Sequence, residues 1–413
     1  MHSPGWVRPG VRAAAAVAVL AALVSCGHTW SPATSSSSRG LPYRNQDDAT
    51  YSWVSVNELN GVAAVSAHSV WAVGSAATGK TLIEHWDGRA WQQVPSASPR
   101  GAQESLLNSV AATGSSTAWA VGYYNTGKKI KKTLIERWDG RGWAQVASPN
   151  PGGVHGSFLL GVAATGSSTA WAVGYYNTGK ATRTLIERWN GRGWVQVPSP
   201  SPGGTDARLN GVAAAGNSSA WAVGYYFGPP LRPLIERWDG RAWKVVASPN
   251  PGDRIGGTLT AVTTTAGSAA WAAGSMGTRT VDQPLIERWD GRAWKQVASP
   301  RPDGSHGSTL TGIAASSPAN AWAVGYYWTE PRTEPAVRTL IERWNGRAWT
   351  QEPSPNPGGP GVHSPDQSLL QGVGAVPSSQ AWAAGFYSSG DPRGKILIER
   401  RAGGTWSQMP AGP

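Results

Sequence analysis

TLIERWDGRGW, from Thr133 to Trp143, decides the fold. Seven copies occur, at Thr81–Trp91, Thr133–Trp143, Thr184–Trp194, Pro233–Trp243, Pro284–Trp294, Thr339–Trp349 and, decayed, Ile396–Trp406. Working outward, each copy is preceded by AWAVG or a close variant, whose Trp stands at 71, 119, 171, 221, 271, 322 and 382. Recurrence at about fifty residues means one supersecondary unit repeated along the chain.

The second copy shows the unit whole, from Leu106 to Pro149. SLLNSVAAT leads through a Gly-Ser turn to AWAVGYY; after a variable loop, TLIERWD turns through Gly-Arg into WAQVASP. Short apolar, β-branched and aromatic runs bounded by Gly, Ser, Asn or Pro read as strands. Asp-Gly or Asn-Gly at 87–88, 139–140, 190–191, 239–240, 290–291 and 345–346 predicts a hairpin between the third and fourth strands. Ser-Pro-Asn-Pro at Ser148–Pro151 and Ser248–Pro251 ends the fourth strand, because proline cannot continue a ladder. The expectation is an all-β, seven-bladed β-propeller of four-stranded antiparallel blades, closed radially. A β-solenoid is the alternative, but no end caps stand out. Two segments compete for the outer slot of the last blade, Tyr51–Val56 and Thr405–Met409. The last copy also has Arg401 where the others have Trp.

The chain of 413 residues divides into a signal peptide (1–25), a Ser/Pro-rich tether (26–50) and the propeller (51–413). Arg8 and Arg12 precede an apolar run of twelve, Ala13–Val24, too short to span a membrane as a helix. Cys26 is the only cysteine, so no intrachain disulfide and no multi-cysteine metal site can form. Leu23-Val24-Ser25-Cys26 resembles the lipobox of bacterial lipoproteins. That resemblance implies cleavage before Cys26, its lipidation, and a protein anchored to the cell membrane facing outside the cytoplasm.

The repeats themselves resemble the WAVG/LIEHWDG propeller repeats of secreted bacterial proteins, galactose-oxidase-like or kelch-like in architecture. The likeness covers residues 57 to 409 and implies a fold more than an activity. The copper-binding Tyr and His constellation of galactose oxidase does not map onto this chain.

Seven copies serve as a control on one another. Glu84, Glu136, Glu187, Glu236, Glu287, Glu342 and Glu399 recur in all of them, which points to a need of every blade. The expectation is a buried structural carboxylate held by an Arg such as Arg141 or Arg192, or by backbone N–H groups, rather than a catalytic or metal-binding ring. The Trp positions read as core wedges. His155, His306 and His363 have no acidic or cysteine partner at ligand spacing, so neither a metal site nor another cofactor is expected.

Variation concentrates in the loops between second and third strands: NTGKKIKK, NTGKAT, FGPPLR, MGTRTVDQ, WTEPRTEPAVR, SSGDPRGK. Those loops share a face with the connections between blades, so that face is the candidate functional one. With Lys80 and Arg183 counted, the loops of this kind carry thirteen basic residues against four acidic ones, nearly the whole excess of a chain whose formal net charge of +12 falls to +10 once Arg8 and Arg12 leave with the signal peptide. Such an excess attracts anionic partners. The candidate binding residues are Lys128, Lys129, Lys131, Lys132, Lys180 and Arg183, with Tyr124, Tyr176, Tyr226 and Tyr327 at the ends of the second strands. No unshared acid–base pair, Gly-x-Ser-x-Gly or HExxH is present, so no catalytic residue is assigned. The function expected is non-catalytic binding of an anionic envelope polymer, glycan or protein by a monomer, with no nucleic acid involved. Competing readings are an enzyme acting on extracellular glycans, hydrolase or lyase, and a structural spacer.

Overall fold

The computed structural model describes residues 56–127, 130–228, 230–249, 256–265, 269–277, 281–329, 336–358, 367–389 and 393–412. Cys26, the signal segment and tether, Tyr51–Ser55, Lys128, Lys129 and His363 lie outside the described residues. Each repeat unit supplies four strands, in unit three Ser157–Ala164, Ala170–Asn177, Thr182–Trp189 and Trp194–Val197. They pair in chain order as an antiparallel meander. At each third hairpin a glycine takes a left-handed turn, Gly140 at φ 94°, and the Asp139 Oδ1 accepts the N–H groups of Arg141 and Gly142.

The glycine of AWAVG is required by close approach. It faces an irregularity in the first strand's register, where Leu209 and Gly211 oppose adjacent residues Gly224 and Val223. A Cβ on Gly224 would stand 2.0 Å from the Arg208 carbonyl oxygen, and Gly74, Gly122, Gly174, Gly274, Gly325 and Gly385 meet the same crowding.

Seven hydrophobic clusters lie between successive units, and the seventh joins the last unit to the first through Trp382, Leu59 and Trp86. The units therefore form a closed ring. First strands sit at the axis, where a Cβ on Gly372 would approach Gly61 Cα to 3.0 Å. Short fourth strands lie at the rim, each with a buried Trp followed by two exposed residues.

Hydrogen bonding corrects one expectation. The described strands form five four-stranded sheets and one eight-stranded sheet, not seven separate sheets. Units six and seven are joined by one parallel pair, Val337 with Gln367. The reason is where the first strand of unit seven begins: Gln367–Ala375 includes the paired residue, whereas Ala207–Ala214 of unit four starts one residue after Asp206. Isolated bridges at equivalent positions, Thr182 with Asp206 and Leu231 with Gly256, show the same contact between other units. In the contested outer slot, Thr405–Met409 pairs with Lys395–Ala402.

Candidate functional site

Each Trp of AWAVG is buried as a wedge between units. Trp119 packs 4.9 Å from Trp189 and edge-on at 5.1 Å to Trp194, both of the next unit. The Arg of LIER completes the stack: the Arg137 guanidinium lies 5.1 Å from the Trp119 ring and 5.5 Å from Trp189. In unit one His85 takes that place, its ring 4.1 Å from Trp71.

The recurring glutamates are buried, as expected, but their partner is not the expected arginine. Arg141 and Arg192 are exposed in the hairpin turns. Six of the seven carboxyls instead accept a hydrogen bond from a serine that ends the preceding unit, and Glu84 and Glu136 accept backbone N–H groups, the other partner expected. Ser96 bonds Glu136, Ser148 bonds Glu187, Ser199 bonds Glu236, Ser248 bonds Glu287, Ser299 bonds Glu342 and Ser354 bonds Glu399, at 2.7 to 3.0 Å. The Ser of the Ser-Pro signal, or Ser96 of Ser-Ala after unit one, thus latches one unit to the next. Burial pushes the carboxyls of Glu187, Glu236, Glu342 and Glu399 up to about 8, with the serine bond opposing the shift. The ring of glutamates is thereby occupied by the scaffold.

Unit seven departs from the pattern in a coordinated way. Arg401, in the place of a stacking Trp, forms a two-pronged bond at 2.9 Å to Glu352 of unit six, which stands where units one to five carry Val. Glu352 also accepts the Trp406 indole N–H at 2.8 Å. Another single-copy carboxyl, Glu58, is pushed up to about 7 by burial, opposed by bonds from Asn60 and Ser75. At 1% exposure it is closed to a substrate, so it fits the inner wall and not a reaction.

The variable face is built as expected. Loops between second and third strands meet the connections between units: the His155 carbonyl accepts the Asn177 side-chain N–H at 3.2 Å, and the Asp206 carbonyl accepts the Phe227 N–H at 2.7 Å. Its candidate residues fare differently. Lys132 and Lys180 are exposed. Lys131 is bound into the scaffold: its ammonium pairs with Glu104 and lies 4.8 Å from the Tyr123 ring. Arg183 is half-buried and donates to the Ser201 carbonyl at 3.4 Å. Tyr124, Tyr176, Tyr226 and Tyr327 are half-buried, packed against the clusters between units. Their neighbours Tyr123, Tyr175, Tyr225 and Tyr326 are buried. Arg208, paired at 3.0 Å with Asp206, covers the Tyr175 ring at 4.5 Å. Strand alternation explains this, because both tyrosines of each pair face a neighbouring unit, one on either side.

Sequence reasoning missed Val154 and Phe227, apolar residues on this face that are 72% and 51% exposed. The signal was present: Phe227 is the single aromatic after a Tyr pair apart from Trp328. Among the described residues no three His, Cys, Asp or Glu side chains gather as a metal-binding group.

No protein-family model matches the sequence, and no curated protein is similar to it. A solved structure of YCF48 bound to D1 peptide is 15% identical and superposes with a TM-score of 0.50 over 84% of this chain and 94% of that one. The fold is a β-propeller. An ulvan lyase, a polysaccharide lyase, is 9% identical with a TM-score of 0.48, over 84% of this propeller and 94% of its own chain. The six-bladed Aleuria aurantia lectin is 14% identical at 0.46, over 74% and 95%. Likeness at these identities is likeness of fold alone.

Proposed function

We propose that this propeller is a non-catalytic binding module, lipid-anchored through Cys26 outside the cytoplasm, that recognises an anionic polymer, glycan or protein through its variable face. In this reading each half of the eight-stranded sheet is one blade, giving seven. The observation that carries the proposal is the division of labour around the ring. Glutamates, tryptophans and serines are consumed in joining units, whereas exposed cations such as Lys80, Lys132, Lys180, Arg232 and Lys395 stand in the hairpins between second and third strands, on a single face. A rigid frame with variable loops is the arrangement binding proteins use, and one-signed charge draws in anionic partners with a salt-dependent attraction.

Binding of the soluble propeller to acidic polysaccharides and acidic polypeptides, measured at two salt concentrations, tests the reading. Affinity should fall as salt rises, and replacement of Lys132 and Lys180 by Gln should weaken it without lowering Tm. Binding indifferent to both salt and these lysines overturns it, as does steady turnover of a polysaccharide. For the anchor, Cys26→Ala should release the protein to the medium; retention of that variant on the membrane overturns the lipid attachment.

A further inference from the structure

The two exposed apolar residues of the variable face stand on one arc, over units two to four. Val154 occupies the helical turn Gly153–His155 before unit three. Gly156 beside it lies against Lys131, next to exposed Lys132. On the other side, Asn177 donates its N–H to the Gly156 carbonyl at 3.0 Å and leads to exposed Lys180. Thr182 bonds the Thr205 carbonyl at 2.9 Å, and Phe227 bonds Asp206, which closes the path to Phe227 and exposed Arg232. Along this face the order is therefore cation, Val154, cation, Phe227, cation. Backbone bonds between successive loops hold that order in place.

We propose that this arc docks an acidic polypeptide segment carrying apolar side chains. The inference rests on the binding reading above and deepens it. Charge complementarity selects an acidic partner, since Lys132, Lys180 and Arg232 alternate with the apolar positions. The apolar positions select polypeptide over polysaccharide. Phe227 alone would suit the face of a sugar ring, but an aliphatic Val154 would desolvate sugar hydroxyls without bonding them. Leucine or tyrosine side chains on an acidic segment would cover both residues and gain from leaving water.

The test uses three probes on the soluble propeller: a random copolymer of glutamate and tyrosine, a glutamate homopolymer, and polygalacturonate. The copolymer should bind about fivefold to tenfold tighter than the homopolymer. Phe227→Ala with Val154→Ser should erase that advantage while leaving homopolymer binding and Tm unchanged. Lys132→Gln with Lys180→Gln should weaken both polypeptides. Equal binding of the two polypeptides, tighter binding of polygalacturonate, or a copolymer advantage that survives Phe227→Ala with Val154→Ser overturns the docking arc while leaving the broader reading in place. Failure of all three probes at low salt overturns both.

Discussion

Gly412 donates its backbone N–H to Glu84 Oε2 at 3.1 Å across 328 positions of sequence, and so joins the last unit to the first. Elsewhere in the ring that carboxyl is bonded by a serine. At the corresponding position the chain has Ala411, which has no hydroxyl, and the next backbone N–H takes over, as Ala97 N–H also does for Glu136. Met409 and Ala411 pack against the cluster that closes the ring.

Removal of residues 410–413 should therefore lower stability by about 1–3 kcal/mol, because a buried carboxyl loses its donor. Ala411→Ser should raise it by about 0.5–1.5 kcal/mol by restoring the hydroxyl. Denaturant unfolding measures both. No change on truncation would mean that Thr405–Met409 closes the ring unaided.

Stability should fall as pH rises from about 4.5 to about 8. Glu187, Glu236, Glu342 and Glu399 have folded values near 8, against an ordinary 4.5, because burial disfavours the carboxylate. Raised folded values mean that the folded state holds protons the unfolded state releases. Their contribution is complete below the unfolded value and is lost as pH passes the folded one. Asp239 and Asp290, held low by Lys244 and Lys295 and by turn N–H groups, act in the opposite sense at acid pH. Glu236→Gln should flatten part of the slope between pH 5 and 8, since a neutral amide has nothing to lose there. A Tm that rises over that range would contradict the neutral latch.

Arg401→Ala should cost about 1–3 kcal/mol, because half-buried Glu352 loses its two-pronged bond while Arg343 at 3.8 Å and the Trp406 N–H remain. The double variant Arg401→Trp with Glu352→Val restores the packing of the other units. It should be neutral or stabilising by about 1–4 kcal/mol, as replacement of buried ion pairs often is. A double-mutant cycle measured by chemical denaturation gives the coupling, and additive effects would show that the two residues do not act as a pair.

Gly224→Ala should destabilise by about 1–3 kcal/mol or more, since the added Cβ meets a carbonyl oxygen and the strand must shift. Gly216→Ala provides the contrast. It has open space around it but φ at 75°, so its effect should be smaller and purely conformational. Equal losses of Tm would place the need for Gly224 in backbone freedom instead of close approach.

The sequence by itself determined the repeat, its four strands, its hairpins and the face that varies. Those features rest on local physics: alternation of apolar residues, Asp-Gly turn chemistry and proline's missing donor, all readable within a few residues. Comparison of copies also marked the glutamates as structural and Arg401 as an exception. Tertiary structure decided the partners. The serine that bonds Glu187 lies 39 positions before it, and the Arg401–Glu352 pair spans 49. Nothing local distinguishes a serine that bonds the next unit from one that merely ends a strand. Lys131, read as a free cation, proved to be paired with Glu104 because Asn125 of the middle strand pairs with Glu104 on one side and Lys131 on the other, which sets the two one strand apart. The join between units six and seven followed from where the first strand of unit seven begins. Ring geometry sets each of these contacts, and that geometry exists only once the units have closed on one another.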